Sequence, residues 1–516
     1  MIINGGQLNH SIVKGSDGSA ISGVLAPGGS YTFQANSPGT YNFRCGIHPT
    51  ETGVLFGSFP PPTISSISPL TGTAGSTLTI NGTNFGAVQM GGTGVTIGNV
   101  NAQATVWSDT QIQCTVPFGT GATNGNVTVT VAGNPVTFSS PFAAKPVEDW
   151  TRTENNNAIN DSDSANAIAL DGSGNIYVAG SISNASGNPD IWVRKYDPSG
   201  NISWTKNQAG GANLDDEARA IAVDGSGNAY VVGVEYQTGS PQKEIWVRKY
   251  SSTGGVLWTD SYGGILNADD YGNGVAVDSA GNFYVAGGKS SGQGLNFSVR
   301  KYDFTGTVVW DQEYNGPDNI DDEATCVAVD GSQNVYVAGY ETTSPSNWND
   351  ILVRKYDSSG TLLWTRTNSN MGEDRAKAIR VDASGNVYVA GYVTGSPTNV
   401  WVRKYDTNGN TLWTQTYDSP ANSYDYGYGI AVDVFGNVYV TGDEERSDLG
   451  QGPNVWIRKF SPTGTPIWTE TYNGGANMGD VGKAITVDAN GNVFIAGQTL
   501  ESLAQLSDIW VRKYKQ

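Results

Sequence analysis

One spacing constrains this chain more than any other feature. An aspartate that closes an apolar stretch returns at Asp171, Asp224, Asp278, Asp330, Asp382, Asp433 and Asp488, at intervals of 53, 54, 52, 52, 51 and 55 residues. A unit of about 50 residues in so many copies is a propeller or a solenoid, and the pattern inside the unit decides between them. Each unit reads as four short strands. In the second they are Ala220-Ile221-Ala222-Val223, Ala229-Tyr230-Val231-Val232, Ile245-Trp246-Val247-Arg248-Lys249-Tyr250 and Val256-Leu257-Trp258-Thr259, with the turn Asp224-Gly225-Ser226-Gly227-Asn228 after the first. Four antiparallel strands per repeat make a propeller blade, so the fold class is all-β.

Residue size along the unit agrees, because blades crowd together at their axis and spread apart outside. First strands carry small residues (Ala167, Ala220, Gly274, Cys326, Ala378, Gly429, Ala484), whereas fourth strands carry Trp204, Trp258, Trp310, Trp364, Trp413 and Trp468. That leaves six tryptophans for seven first strands. The seventh unit stops after its third strand, Ile509 to Tyr514, and Asp149-Trp150-Thr151-Arg152-Thr153 stands before the first repeat, matching Leu363-Trp364-Thr365-Arg366-Thr367. The chain is therefore predicted to close a seven-bladed propeller with a strand from the N-terminal side. Units such as Ala378-Ile379-Arg380-Val381-Asp382 followed by Gly385-Asn386-Val387-Tyr388-Val389-Ala390-Gly391 resemble the bacterial β-propeller repeat family SBBP over residues 146 to 516. The resemblance implies a scaffold of secreted or surface-attached proteins and no defined reaction.

Two proline-bearing passages, Phe59-Pro60-Pro61-Pro62-Thr63 and Phe142-Ala143-Ala144-Lys145-Pro146, read as linkers. They divide the chain into residues 1–59, 60–145 and 146–516. The middle segment holds Ile64-Ser65-Ser66-Ile67-Ser68-Pro69, Leu78-Thr79-Ile80-Asn81-Gly82-Thr83-Asn84-Phe85-Gly86 and the alternating Val127-Thr128-Val129-Thr130-Val131. It resembles an IPT/TIG domain, an immunoglobulin-like sandwich that the resemblance casts as a spacer or interaction module.

The first segment contains both histidines of the chain, His10 and His48, and one of its three cysteines, Cys45. The run Pro38-Gly39-Thr40-Tyr41-Asn42-Phe43-Arg44-Cys45-Gly46-Ile47-His48-Pro49, with Asn9-His10-Ser11-Ile12 upstream, resembles the C-terminal part of a plastocyanin-like cupredoxin sandwich. On that resemblance His10, Cys45 and His48 correspond to the equatorial ligands of a type 1-like blue-copper site. One thiolate and two imidazoles in a trigonal array suit both copper oxidation states. The family usually places an axial methionine three residues after the second histidine, and this chain has Glu51 there. The strands that precede the first histidine in the family are also missing. Residues 1–59 therefore read as a partial domain, either part of an intact copper-binding parent continuing upstream with a secretion signal, or a decayed remnant.

A balance of 29 basic to 48 acidic residues gives a net charge of −19, which repels phosphate backbones and argues against a nucleic-acid partner. Three distant cysteines make no disulfide framework. No apolar run approaches the ~18 residues of a transmembrane helix. Low lysine and a polar surface suggest an extracellular, cell-surface or periplasmic place.

Several features recur in every unit. An aspartate stands eight residues before each anchor (Asp163, Asp216, Asp270, Asp322, Asp374, Asp425, Asp480), to be read as a loop cap or as one member of a cation-binding ring. The Asp-Gly-Ser-Gly-Asn turns imitate the start of a calcium loop but lack its later ligands. Arg-Lys pairs such as Arg194-Lys195 put arginine on the face of Trp192 and Tyr196, which suits cation–π packing. Function is expected where the repeat breaks, on the face opened by the loops between second and third strands: Asn184 to Asp190, Glu235 to Glu244, Ser344 to Asp350 with Trp348, Asp443 to Asn454, and Thr499 to Asp508. Two main readings result. One is a secreted or surface protein that joins a copper-binding, electron-transfer module and its redox partner to a propeller scaffold. The other is a structural or adhesive scaffold that binds a protein or glycan at the acidic propeller face, its copper site decayed. A hydrolase or lyase is the third class, disfavoured because the propeller has no histidine.

Overall fold

The anchoring aspartate explains why each blade turns where it does. Asp171 Oδ1 accepts the backbone N–H of Ser173 (2.9 Å) and Asn175 (3.0 Å), while Oδ2 accepts Asn175 Nδ2 (2.7 Å) and the Tyr177 hydroxyl (3.2 Å). The same side-chain turn forms at Asp224, Asp278, Asp330, Asp382, Asp433 and Asp488. Burial works against charge here, yet the donors outweigh it, and the carboxyls of Asp171, Asp224, Asp330 and Asp382 lie below their ordinary value. These are turn aspartates, with their oxygens bonded to donors of the chain's own turn.

The computed structural model describes residues 61–516 except 88, 90–92, 118–124, 132, 140–141, 156–161, 212–213, 238–241, 265–267, 293, 344–347, 370–371, 478, 501–506 and 516, together with the backbone of five strands within residues 1–60. It divides into two units, Met1–Lys145 and Pro146–Gln516. No helix among the described residues is long and apolar enough to cross a membrane.

The second unit is seven four-stranded antiparallel sheets, each with its strands in sequence order. Blade 2 is typical, with Glu217–Val223 innermost, then Ala229–Tyr236, Lys243–Tyr250 and Val256–Tyr262. Blade 7 is composite. Its three C-terminal strands end with Asp508–Lys515, and Val147–Glu154 pairs with that strand, Thr151 opposite Arg512. Lys513 and Lys515 reach Asp149 at 3.2 and 2.7 Å across this seam. The first strand of blade 1 then packs on that of blade 7, completing the ring.

Neighbouring blades are tied by one repeated device. Lys195 Nζ and Trp204 Nε1 both donate to the Ser252 carbonyl in the outer turn of the next blade, at 3.2 and 3.1 Å. Lys301 with Trp310, Lys355 with Trp364, and Lys404 with Trp413 do the same to Ser358, Thr407 and Pro462. The arginine of each Arg-Lys pair covers aromatic rings, as Arg194 covers Trp192 at 5.0 Å, and some reach the preceding blade, as Arg354 reaches Tyr314 at 4.1 Å. Trp192, Trp246, Trp456 and Trp510 of third strands are fully buried. The fourth-strand tryptophans are mostly half-buried, so the largest core side chains lie one strand further in than the outward size gradient predicts.

In the first unit, one sheet runs in the order Asn134–Thr137, Val127–Val131, Gly94–Ile97, Val100–Trp107, Gln111–Thr115, Thr77–Thr83, Thr63–Ser68. Val100–Trp107 pairs with Gly94–Ile97 through its first half and with Gln111–Thr115 through its second, about a bulge between Ala104 and Val106. The alternating Val127, Val129 and Val131 are buried with Leu78, Ile80, Ile112, Phe85 and Cys114. Burial pushes the Cys114 thiol up to about 11, which makes it a packing residue. Within residues 1–60, Ile12–Lys14, Gly39–Cys45 and Thr52–Gly57 form a three-stranded sheet, and Ile2–Ile3 pairs with Ser30–Tyr31.

Candidate functional site

Every innermost strand carries a β-bulge at the same place. Pairing with the second strand shifts register between Ala165 and Ala167, and likewise at Ala218/Ala220, Gly272/Gly274, Ala324/Cys326, Ala376/Ala378, Gly427/Gly429 and Gly482/Ala484. A bulge frees one residue from the ladder and re-aims its side chain. Here the freed residues are Asn166, Arg219, Asn273, Thr325, Lys377, Tyr428 and Lys483, and all seven line a cavity of about 120 Å³ on the propeller axis. A glycine faces each bulge for a steric reason. A Cβ on Gly180, Gly233, Gly287, Gly339, Gly391, Gly442 or Gly497 would lie 1.8 to 2.0 Å from the carbonyl oxygen of the residue two before the freed one.

The repeat is strict elsewhere and lax in this ring. Three of the seven freed residues are cationic. Deeper in the strand, where the other blades carry Ala169, Ala222, Ala276, Ala328, Ala431 and Thr486, blade 5 carries Arg380, which also lines the cavity. No carboxylate is among the lining residues. Several ring members reach the next blade: Asn166 Nδ2 donates to the Ala218 carbonyl (3.0 Å), Arg219 to Asn273 Oδ1 (2.9 Å), Asn273 Nδ2 to the Ala324 carbonyl (2.9 Å) and Thr325 Oγ1 to the Ala376 carbonyl (2.7 Å). Lys483 closes the circle onto Ser164 Oγ (2.7 Å) and Asn166 Oδ1 (3.0 Å). Burial pulls Lys377 and Lys483 below their ordinary values. Arg380 is exposed and opens to the cavity, while Lys377 and Lys483 are half-buried at its wall. Cys326 beside it is buried, and burial raises its thiol to about 12.

Just outside the ring, the first-strand residue two before the freed one and its second-strand partner also differ by blade. Blades 4, 5 and 6 place there Glu323 with Tyr340, Arg375 with Tyr392, and Tyr426 with Asp443. They make one polar, aromatic sector. Tyr340 donates to Glu323 (2.8 Å), the Arg375 guanidinium covers the Tyr340 ring at 4.5 Å, and Lys377 Nζ lies 5.9 Å from the Tyr392 ring. Tyr392 meets Tyr426 edge-on at 4.9 Å, and Tyr426 stacks on Tyr428 at 6.1 Å. Asp443 is buried, its Oδ1 has no hydrogen-bond partner, and burial raises its carboxyl to about 7.

Residues 62–143 match the IPT/TIG domain family, and residues 157–188, 204–234 and 421–443 match the β-propeller repeat family SBBP. The chain carries an IPT/TIG domain and an SBBP propeller. It is 33% identical over 136 residues, 26% of its length, to a cyclomaltodextrin glucanotransferase of a Bacillus species, and that stretch spans 15% of the enzyme. Among solved structures it is similar to a Bacteroides thetaiotaomicron protein of unknown function (15% identity, TM-score 0.37, 88% of this chain and 98% of that one). It is similar as well to auxiliary nutrient binding proteins of Bacteroides thetaiotaomicron (14% identity, TM-score 0.33, 89% and 98%) and Bacteroides ovatus (13% identity, TM-score 0.35, 88% and 98%).

The aspartate that precedes each anchor makes the hydrogen bonds of a loop cap. Asp163, Asp270, Asp322, Asp374 and Asp425 accept the amides of Ser183 (2.8 Å), Ser290 (2.6 Å), Thr342 (3.0 Å), Thr394 (2.8 Å) and Glu445 (3.2 Å). Asp216 and Asp480 accept those of Tyr236 (2.7 Å) and Leu500 (2.9 Å). They are loop caps, one to a blade. The variable loops are shorter than the sequence suggests, because second and third strands extend into them: Asp443 lies inside Val438–Glu445 and Trp348 opens Trp348–Tyr356. Parts of three of these loops, at 238–241, 344–347 and 501–506, lie outside the described residues. So do His10, His48 and Glu51, while Cys45 is placed by its backbone as the end of Gly39–Cys45, opposite Ile12. Sequence reasoning missed the axial ring and read Asp443 only as the start of a loop. The signal was available, since aligning the units on their anchors exposes Lys377, Arg380 and Lys483 against Asn, Thr and Ala.

Proposed function

We propose that this protein is a ligand-binding scaffold of the bacterial cell exterior, with the mouth of the propeller axis in blades 4 to 6 as its binding site and the IPT/TIG domain as a spacer or interaction module. One observation carries the reading: blades that repeat their turns, caps and inter-blade ties diverge together at the axial rim, where Tyr340, Arg375, Tyr392, Tyr426, Tyr428 and Asp443 gather. Divergence concentrated in a concave, aromatic and polar place is the mark of recognition rather than of folding. Soluble glycans and peptides should be screened against the full chain and against a Tyr392→Ala/Tyr426→Ala variant, both residues being part-exposed. The expected result is a ligand whose affinity drops at least tenfold in the variant. Ligands held equally by both proteins would place binding elsewhere and overturn the reading.

A copper site is the second reading, favoured by one observation. Ile12 pairs with Cys45 and Arg44 with Thr52, so the strand that follows His10 and the strands flanking His48 belong to one sheet. His10, Cys45 and His48 would hold the ion, with Glu51 as an oxygen donor, and copper so bound would supply one-electron transfer. A Cu(II)-loaded full chain should show an intense visible thiolate-to-copper band that Cys45→Ser removes. Absence of both the band and stoichiometric copper would end this reading.

A further inference from the structure

We propose that the axial cavity is an oxyanion-binding site, taking a carboxylate, phosphate or sulfate group on Lys377, Arg380 and Lys483; as the deep end of the axial mouth, it rests on the binding-site reading above.

The charge distribution makes the case. In a chain of net charge −19, four cations (Arg219, Lys377, Arg380 and Lys483) line one cavity in which no lining residue is acidic. Arg219 is compensated by Glu217 at 3.0 Å. The other three have no carboxylate within ion-pair distance among the described residues. Lys483 donates to two neutral oxygens, Arg380 Nη1 to the Ile379 carbonyl at 2.9 Å, and Lys377 lies by the Tyr392 ring. Like charges gathered at one cavity without ion-pair partners destabilise a fold, because each repels the next and the half-buried Lys377 and Lys483 have lost part of their hydration. The depressed lysine values register that cost.

The blade does not require these residues. Blades 1 and 3 place Asn166 and Asn273 where blade 5 has Lys377, and five blades have alanine where it has Arg380. An anion entering the cavity would restore the missing countercharge and accept charge-assisted hydrogen bonds from two ammonium groups and a guanidinium. The rim carboxylates do not close the way. Glu217 is held by Arg219 and Asn166, and Glu323 by Asn273 and Tyr340. The cavity, about 120 Å³, has room for a single oxyanion group. A larger ligand would place only its charged end here and leave its body on the tyrosines of the rim.

The test uses the full chain, with thermal shift and calorimetry in sodium phosphate, sulfate, galacturonate and, as neutral control, galactose, all at constant ionic strength set with chloride. Phosphate or galacturonate should raise the melting temperature saturably. Lys377→Asn/Arg380→Ala, built from residues other blades carry at these places, should melt higher than wild type without anion and lose at least tenfold in anion affinity. Lys483→Gln should weaken anions independently, which guards against misfolding of the double variant. Galacturonate tighter than phosphate, and weakened by Tyr392→Ala, marks a ligand-borne anion; phosphate as tight as galacturonate marks a free one. If neutral ligands bind at Tyr392 while no anion shifts the melting temperature, the oxyanion site falls and the rim reading stands. If phosphate binds and depends on Lys377 while no ligand senses Tyr392, the reverse holds. A non-saturating anion effect that is equal in wild type and variants overturns the proposal.

Discussion

The outer turns of the propeller and its axial ring answer to the same repeat and treat it differently. At the periphery, Trp204, Trp310, Trp364 and Trp413 each find the same carbonyl on the next blade, so a substitution in one blade breaks a contact its neighbour was shaped to receive. At the axis, seven freed side chains converge on a common space, and only Asn166, Asn273 and Thr325 among them find the equivalent carbonyl of the next blade. Variation there is tolerated by the fold and open to use. Regularity marks where blades hold one another, and irregularity marks where the molecule meets something else.

The comparison can be broken most forcefully at the periphery. Trp246 is fully buried, and Trp246→Ala should cost about 3–5 kcal/mol, read by chemical denaturation, with little change in ligand affinity of the protein that remains folded. Gly391→Ala tests the link between the two regions. Its Cβ would meet the Arg375 carbonyl at 2.0 Å, so relief requires the bulge that presents Lys377 to shift. A loss of about 3 kcal/mol accompanied by weakened anion binding is expected.

Asp443→Asn sharpens the axial side through pH. The folded carboxyl is raised to about 7 from an ordinary value of 3.8, so the native state holds its proton more firmly than the unfolded chain does. Its contribution is most favourable below about pH 4 and is lost as pH rises through 7. The variant should therefore match wild type near pH 4 and exceed it above pH 7, as measured by denaturant midpoints across that range. Asp322 and Asp425, each raised to about 6 by burial, leave a residual slope of the same sign in both proteins. The smallest effect lies at a turn. Gln333 occupies the left-handed region at φ +63° where the corresponding turn residue of the other blades is glycine, and Gln333→Gly should stabilise by about 1 kcal/mol without touching binding.

Much of the fold was readable because a blade is a local object. The anchors, the turn chemistry of Asp171 to Asn175 and the displaced strand around Trp150 all act over a few residues, or over one pairing that repetition makes recognisable. The arginines over tryptophan followed from strand alternation, whereas the lysines beside them were found to tie blades through turn carbonyls. The strand extensions that absorb Asp443 and Trp348 were not readable, since irregular sequence beyond a repeat looks like a loop until pairing partners are known.

By itself, then, the sequence determined the all-β class, the seven units, the composite closing blade and the cap role open to each repeated aspartate, because these depend on spacing and on contacts close along the chain. Only the tertiary structure decided that Asn166, Arg219, Asn273, Thr325, Lys377, Tyr428 and Lys483 face one another. They are separated by some 50 residues each, and a single-residue bulge turns them from the sheet toward the axis. Alternation alone does not reveal that turn, and closure of the ring is what gathers the cations into one space.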